Sequence, residues 1–154
     1  MKVLFVCLGN ICRSPTAEGV FRQRLREAGL DGRVTVDSAG TAAWHVGKGP
    51  DPRTCRAALR RGYDLSPLRA RQVAAEDYRR FDLMLAMDHD NLLRLKEFRP
   101  DGARAELDLF LGRYGLGRGV VPDPYHGGAE GFEQVLDLIE AGCDALISEI
   151  KGRL

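Results

Sequence analysis

Short apolar segments alternate with amphipathic segments along the whole 154-residue chain, and this alternation restricts the fold more than any other feature of the sequence. Four segments have the length and apolar content of strands: residues 2–7, 33–37, 81–87 and 105–110. Helices are predicted between them, beginning near Pro15, Asp51 and Asp88. Strands separated by helices join into a parallel sheet through right-handed crossovers. We therefore predict an α/β fold in a single domain over residues 1–154, with a small parallel sheet of about four strands and helices on both faces.

The predicted helices carry apolar stripes that are expected to pack on the sheet. The last helix has the clearest one, because its apolar residues recur every three or four positions. They are Phe132, Val135, Leu136, Ile139, Cys143, Leu146, Ile147 and Ile150. In the helix that begins near Asp51 the pattern predicts an inner face made of Cys55, Ala58 and Leu59, and the helix capped by Asp88 carries Leu92, Leu93 and Leu95. Ligands of such sheets bind beyond the carboxyl ends of the strands, so we expect the site where Cys7, Ser38 and the loop after Phe110 meet.

The charge composition excludes one large class of functions. Lys plus Arg number 23 and Asp plus Glu number 22, so the net charge of +1 gives no basis for generalised nucleic-acid binding. The first 80 residues nevertheless carry 15 basic and 8 acidic side chains, so an anion is expected to bind in the N-terminal half. No segment has the length of a membrane span, and the apolar start lacks a cleavage signal, so we expect a cytoplasmic protein without membrane partners.

The segment between the first predicted strand and the first predicted helix reads Cys7-Leu8-Gly9-Asn10-Ile11-Cys12-Arg13-Ser14-Pro15. Gly9 and Asn10 tolerate left-handed backbone angles, so successive N–H groups can turn inward as an anion-binding nest. The dipole of the following helix points its positive end at the same place. Arg13 adds a guanidinium whose parallel donors match two phosphate oxygens. The sequence thus predicts a phosphate-binding loop.

Cys7 ends the predicted strand and faces the centre of this nest. Backbone N–H groups and a neighbouring arginine stabilise a thiolate, and Ser14 can donate a hydrogen bond to the sulfur. Taken singly, Cys7 is more often a small core residue, Ser14 a helix cap and Arg13 a surface charge. The combination of all three with Gly9 and Asn10 favours a nucleophilic cysteine in an oxyanion site.

These residues resemble the signature of the low-molecular-weight protein tyrosine phosphatases, which is a cysteine, five residues, an arginine and a serine near the N-terminus. Cys7 to Ser14 match it, including the inner Asn10 and Cys12. The resemblance extends over almost the whole chain, through Asp37-Ser38-Ala39-Gly40-Thr41, Trp44-His45-Val46-Gly47, Pro50-Asp51-Pro52-Arg53, Ala70-Arg71-Gln72, Phe81-Asp82, Met87-Asp88 and Asp123-Pro124-Tyr125.

The resemblance implies a role for each matching residue. Cys7 is expected to take the phosphoryl group, Arg13 to bind the substrate and the transition state, and Asp123 to act as general acid and then base. The expected substrate-binding residues are Leu8, Gly9, Asn10, Ile11, Cys12, Ser14, Trp44 and Tyr125. Among them, Leu8, Trp44 and Tyr125 match pocket walls that form a slot for an aromatic phosphoester. The implied substrates are tyrosine-phosphorylated proteins or small aryl phosphates, with no cofactor and no metal.

The sequence departs from the family pattern at one support of the loop. In the family, Asn10 is held by a serine, which matches Ser38, and by a histidine just before Ala70-Arg71-Gln72. That histidine is missing here, where the segment 65–69 reads Leu-Ser-Pro-Leu-Arg and Leu68 lies in the corresponding region. The resemblance therefore leaves the second support of Asn10 open.

The histidines do not have the spacing of metal ligands. His45 and His126 are expected near the mouth of the pocket, and His89 is expected to face solvent. The general-acid assignment rests on the family pattern alone, because Asp123-Pro124 by itself is an ordinary turn. Asp88 and Asp90 are the next acids to test.

The four cysteines separate into two groups. Cys55 and Cys143 are predicted as core residues. Cys12 shares the loop with Cys7 and is expected to form a reversible disulfide with it under oxidation. Two other functions remain open: a thiol-coupled arsenate reductase, which needs redox cysteines that the segment 81–91 lacks, and a non-catalytic phosphate or phosphotyrosine-binding module. The sequence does not indicate an oligomeric state.

Overall fold

The computed structural model describes residues 1–125 and 127–154. Within these ranges one parallel sheet contains four strands, in the order β2-β1-β3-β4. The strands are β1 (Lys2–Cys7), β2 (Thr35–Gly40), β3 (Leu83–Ala86) and β4 (Glu106–Leu109). The helices are α1 (Arg13–Glu27), α2 (Pro52–Arg60), α3 (Asp77–Arg80), α4 (His89–Glu97) and α5 (Ala129–Arg153), with a 3-10 turn at Gly112–Tyr114. The prediction of a four-stranded parallel α/β fold is confirmed.

Apolar residues cover both faces of the sheet. On one face, Phe5 of β1 packs edge-on against Phe21 of α1 and Phe110, with ring centroids 5.7 and 5.0 Å apart. This cluster also contains the apolar stripe of α5 and the inner residues of α2. The opposite face is smaller, and there Tyr78 of α3 and Leu95 of α4 pack against alternate residues of β1 and β3. Helices therefore lie on both faces, as predicted.

Two predicted boundaries are wrong in a way that matters for the site. The second strand continues through Ser38 to Gly40, because Gly40 pairs with Cys7 of β1 and its N–H donates to the carbonyl of Arg71. The first helix begins at Arg13, two residues before Pro15. Arg13 and Ser14 therefore belong to the first turn of α1.

The predicted inner-face position of Leu59 is also wrong, and Leu93 of α4 is exposed as well. Leu59 is 63% exposed and Leu93 is 55% exposed. The buried stripe of α2 is Thr54, Ala57 and Ala58, so Leu59 lies one step outside it. In α4 the buried residues are Asn91 and Leu95, four positions apart, and Leu93 between them points away from the sheet. The short α3 and the 3-10 turn were not predicted, because both have only three or four residues.

No helix in the described ranges combines the length and the hydropathy that a membrane span requires.

Candidate functional site

The candidate site lies at the carboxyl edge of the sheet, where β1 leads into the loop before α1. A cavity of about 310 Å³ opens there. It is lined by Cys7, Leu8, Gly9, Ile11, Cys12, Arg13, Trp44, His45, Asp123 and Tyr125. The sequence analysis singled out all of these residues, and the fold brings them together from the ends of β1 and β2 and from the segment before α5.

Cys7 is surrounded by hydrogen-bond donors. Its sulfur lies 3.3 Å from the backbone nitrogen of Asn10, which donates to it, and 3.0 Å from the hydroxyl oxygen of Ser14. Asn10 has a φ of 57°, which is the left-handed conformation expected for the loop. Gly9 does not adopt a positive φ, and a Cβ there would lie 3.0 Å from Cδ2 of His45, so that the ring would have to shift slightly to accept a side chain. The loop thus turns the N–H of Asn10 toward the sulfur.

The side chain of Asn10 holds the loop in this shape. Its amide nitrogen donates to the hydroxyl oxygens of Ser14 at 2.7 Å and Ser38 at 3.0 Å. Its amide oxygen accepts a hydrogen bond of 3.0 Å from the backbone nitrogen of Arg71. A main-chain N–H therefore supplies a second support of Asn10, while Leu68 packs against the hydrophobic core.

Glu18 extends this support network and was missed by the sequence analysis. It is 3% exposed, accepts a 2.7 Å hydrogen bond from Ser38 and forms an ion pair of 2.7 Å with Arg22. Burial raises the pKa of Glu18, and the hydrogen bonds from Ser38 and Arg22 partly counteract this. Its spacing of four residues from Arg22 on a helix was the available signal, but that spacing usually marks a solvent-exposed pair.

Arg13 is held in place from two sides. One guanidinium nitrogen, Nη1, donates to Asp88 at 2.6 Å and to the carbonyl of Val121 at 3.1 Å. Burial alone would lower the pKa of Arg13, but the nearby Cys7, Asp88 and Asp123 raise it above its ordinary value. Asp88 was predicted at the start of α4 and as one of the next acids to test, and its other oxygen caps α4 by accepting from the Asn91 nitrogen.

Asp123 lies across the cavity from the loop. Its Oδ2 is 3.6 Å from Nη2 of Arg13, and its side chain is 45% exposed. Its Oδ1 accepts a 3.0 Å hydrogen bond from the backbone nitrogen of Tyr125. Asp88 is engaged by Arg13, and Asp90 lines a neighbouring groove instead of this cavity. Among these three acids, Asp123 is the one that lines the cavity.

The walls of the cavity are aromatic and partly exposed. Trp44 is 69% exposed, Tyr125 39% and Leu8 38%. As predicted, His45 lines the cavity, and its ring centroid lies 6.5 Å from that of Tyr125. His89 is exposed to solvent, as was also predicted. His126, predicted near the mouth, lies outside the described residues. No cluster of potential metal ligands occurs within residues 1–125 and 127–154.

None of the four cysteines, all of which lie within the described residues, is joined in a disulfide. Cys12 is 5% exposed, and burial raises its pKa to about 12. Cys143 is completely buried in the core, as predicted, and burial raises its pKa well above the usual range. Cys55 is only half-buried, and its thiol faces the carbonyl of Pro50 at 3.7 Å. Of the four, Cys7 and Cys12 line the cavity.

Known proteins resemble the chain in both sequence and fold. The family model described as low molecular weight phosphotyrosine protein phosphatase matches residues 2–153. A phosphatase of that description from Schizosaccharomyces pombe is 48% identical over 136 residues, which cover 86% of this chain and 85% of that protein. A low molecular weight protein-tyrosine-phosphatase from Streptomyces coelicolor is 43% identical over 157 residues, covering 99% and 95%. The crystal structure of an Entamoeba histolytica protein tyrosine phosphatase with Hepes in the active site superposes with a TM-score of 0.93 at 38% identity, covering 100% of this chain and 99% of that one.

Proposed function

The chain belongs to the family of low molecular weight phosphotyrosine protein phosphatases, and from this we propose that it hydrolyses phosphotyrosine and aryl phosphate monoesters through a phosphocysteine intermediate. One observation carries the proposal: the Cys7 sulfur, the Arg13 guanidinium and the Asp123 carboxyl line a single cavity at the start of α1. A nucleophile, an anion binder and a proton donor are the three groups that this reaction needs.

In the first step the Cys7 thiolate attacks phosphorus, so that an S–P bond forms while the bond from phosphorus to the phenolic oxygen breaks. Arg13 and the loop N–H groups bind the phosphoryl oxygens as charge spreads over them. Asp88 and the Val121 carbonyl fix the orientation of the guanidinium. Asp123 gives its proton to the departing oxygen, so that a neutral phenol leaves.

In the second step Asp123, now a carboxylate, takes a proton from a water molecule that attacks the phosphocysteine. The S–P bond breaks and the Cys7 thiolate leaves, while inorganic phosphate is released. The Ser14 hydroxyl and the Asn10 N–H stabilise the thiolate as it leaves. The enzyme returns to its starting state without a metal or an external base.

The walls of the cavity favour an aromatic substrate. Leu8, Trp44 and Tyr125 offer apolar and aromatic surface beside the anion site, which suits a planar ring on the phosphate. A phosphoserine side chain has no ring to pack against these walls. The proposed macromolecular partners are therefore tyrosine-phosphorylated proteins.

The test is hydrolysis of p-nitrophenyl phosphate beside matched phosphotyrosine and phosphoserine peptides, without added metal and with a chelator present. We expect turnover of the first two and little of the third. Binding of phosphate without any hydrolysis would favour the non-catalytic binding module. Thioredoxin-dependent reduction of arsenate, with no hydrolysis of esters, would favour the reductase.

A further inference from the structure

Arg53 joins two segments on opposite sides of the candidate site. At one end it binds Asp51, whose Oδ1 accepts from the Arg53 backbone nitrogen at 2.8 Å and from Nε at 3.2 Å. The other carboxylate oxygen of Asp51 accepts from Nη2 at 3.0 Å. Asp51 is itself fixed to the phosphate-binding loop, because its backbone nitrogen donates to the carbonyl of Ile11 at 2.8 Å.

The other end of Arg53 binds the segment that carries Asp123. Its Nη2 donates a 2.7 Å hydrogen bond to the carbonyl oxygen of Tyr125. The guanidinium lies over two rings, 5.4 Å from the centroid of Tyr125 and 4.9 Å from that of Phe132 in α5. The backbone nitrogen of Tyr125 in turn donates to Asp123. A continuous series of contacts thus runs from Ile11 through Arg53 to Asp123.

The Asp51 end of this series is a firm anchor. Asp51 is 8% exposed and also caps α2. Burial raises its pKa, but hydrogen bonds from Arg53 more than compensate and hold the pKa of Asp51 below its ordinary value. The carboxylate therefore stays ionised at neutral pH, and its planar pairing with the guanidinium fixes the direction of Arg53.

Other contacts hold this segment near its start and at Asp123, whose Oδ2 lies 3.6 Å from Nη2 of Arg13. Val121 is bound by Met87 and by Arg13, and α5 begins at Ala129. Arg53 binds between these points, at Tyr125, two residues from Asp123. We propose that Arg53 is a positioning residue that clamps this segment to the phosphate-binding loop and so holds the Asp123 carboxyl over the cavity. This inference rests on the proposed function.

The kinetic test compares Arg53→Met with Arg60→Met. Arg60 lies on the same helix and pairs with Glu133 of α5 at 3.2 Å, outside the cavity. Displacement of a general acid slows only reactions that need its proton, so Arg53→Met should lower kcat/KM for phenyl phosphate about tenfold and for p-nitrophenyl phosphate less than about twofold. Arg60→Met should alter neither. Arg53→Lys keeps the positive charge but loses the planar arrangement of donors in the guanidinium. It should therefore lower kcat/KM for phenyl phosphate less than Arg53→Met does.

A double-mutant cycle distinguishes positioning from a general structural role. If Arg53 acts through Asp123, then Arg53→Met should change kcat/KM for phenyl phosphate less than about twofold once Asp123→Asn is present. Equal losses on both esters, or losses that multiply fully in the double variant, would overturn the inference.

Amide hydrogen exchange of Asp123 and Tyr125, whose neighbours Pro122 and Pro124 have no amide hydrogen, gives a readout that does not depend on activity. We expect faster exchange in Arg53→Met and unchanged exchange in Arg60→Met. If the wild-type protein hydrolysed no aryl phosphate, the proposed function would fail, and this measurement would still decide whether Arg53 clamps the segment. Unchanged exchange in Arg53→Met would rule the clamp out.

Discussion

Replacement of one sulfur atom by oxygen tests whether Cys7 is the nucleophile. Cys7→Ser keeps the backbone N–H groups and Arg13, so phosphate should still bind, but a neutral hydroxyl without a base should reduce turnover by about 10³-fold or more. Arg13→Ala should weaken both binding and turnover. Cys55→Ser, outside the cavity, is the control. Steady-state kinetics and phosphate titration measure the two effects, and substantial activity in Cys7→Ser would contradict the covalent mechanism.

The second prediction at this scale concerns Asp123. Asp123→Asn leaves the hydrogen-bonding shape of the side chain nearly intact but removes the transferable proton. Turnover of phenyl phosphate and of phosphotyrosine should fall about 10²- to 10⁴-fold, with a much smaller loss for p-nitrophenyl phosphate, whose leaving group departs unaided. Kinetics across a series of leaving groups measures this. An equal loss throughout would transfer the acid role to another residue, with Asp88 and then Asp90 next to test.

At the scale of the loop between β1 and α1, the pair Cys7 and Cys12 predicts reversible oxidation. Peroxide should oxidise the Cys7 thiolate to a sulfenic acid, with reduction of the peroxide to water. The Cys12 thiol should then attack this sulfur, forming the disulfide and releasing water. Burial raises the pKa of Cys12 to about 12, so its thiolate is scarce at neutral pH and the second step should accelerate as the pH rises.

Mass spectrometry and recovery with a thiol reductant test this prediction. The wild-type protein should regain activity, whereas Cys12→Ser should be inactivated similarly but recover poorly, because nothing captures the sulfenic acid before further oxidation. Phosphate should slow the first step by occupying the loop. A link from Cys7 to Cys55 or Cys143, or equal recovery in both proteins, would make Cys12 a packing residue.

The elements show which features a sequence can predict. All four strands and the stripe of α5 were predicted, because each depends on local periodicity. The extension of β2 to Gly40 was not, since it depends on pairing with Cys7 and on Arg71, far away in the chain. The exposed Leu59 was misassigned because a helix pattern shows which residues share a face but not which neighbour that face meets.

The site shows the same division between local and tertiary information. The loop of Cys7 and Arg13 is a contiguous motif and could be recognised directly. The support of Asn10 by the Arg71 main chain could not be predicted, because every residue except proline has a backbone N–H and the sequence does not show which one donates to Asn10. The burial of Glu18 and the bridging position of Arg53 likewise depend on contacts across the fold.

At the scale of the whole molecule, Arg113 connects the last helix to the edge of the sheet. It forms ion pairs with Glu106 and Asp108 at 2.5 and 2.9 Å and with Glu149 of α5 at 2.8 Å. The hydroxyl of Tyr114 also donates to Glu149 at 2.8 Å. Because α5 covers the face of the sheet opposite α3 and α4, this cluster fixes the terminal element to β4 and contributes to global stability.

Protonation of Glu149 should therefore weaken the folded state. Hydrogen bonds from Arg113 and then Tyr114 outweigh partial burial and lower the pKa of Glu149 from 4.5 to about 2. A carboxyl group whose pKa is lower in the folded than in the unfolded protein stabilises the folded state at pH values above its unfolded pKa. This stabilisation by Glu149 is lost as the pH falls from about 4.5 toward about 2.

Glu149→Gln should lower the free energy of unfolding by roughly 2 kcal/mol at pH 7, and the difference from wild type should shrink as the pH falls through that range. Glu27→Gln, which removes an exposed carboxylate 3.6 Å from Arg24, is the control and should change stability little at either pH. Urea unfolding at several pH values measures both variants. If the difference in the free energy of unfolding between Glu149→Gln and wild type did not shrink as the pH fell toward about 2, Glu149 would stabilise α5 by packing and not by its charge.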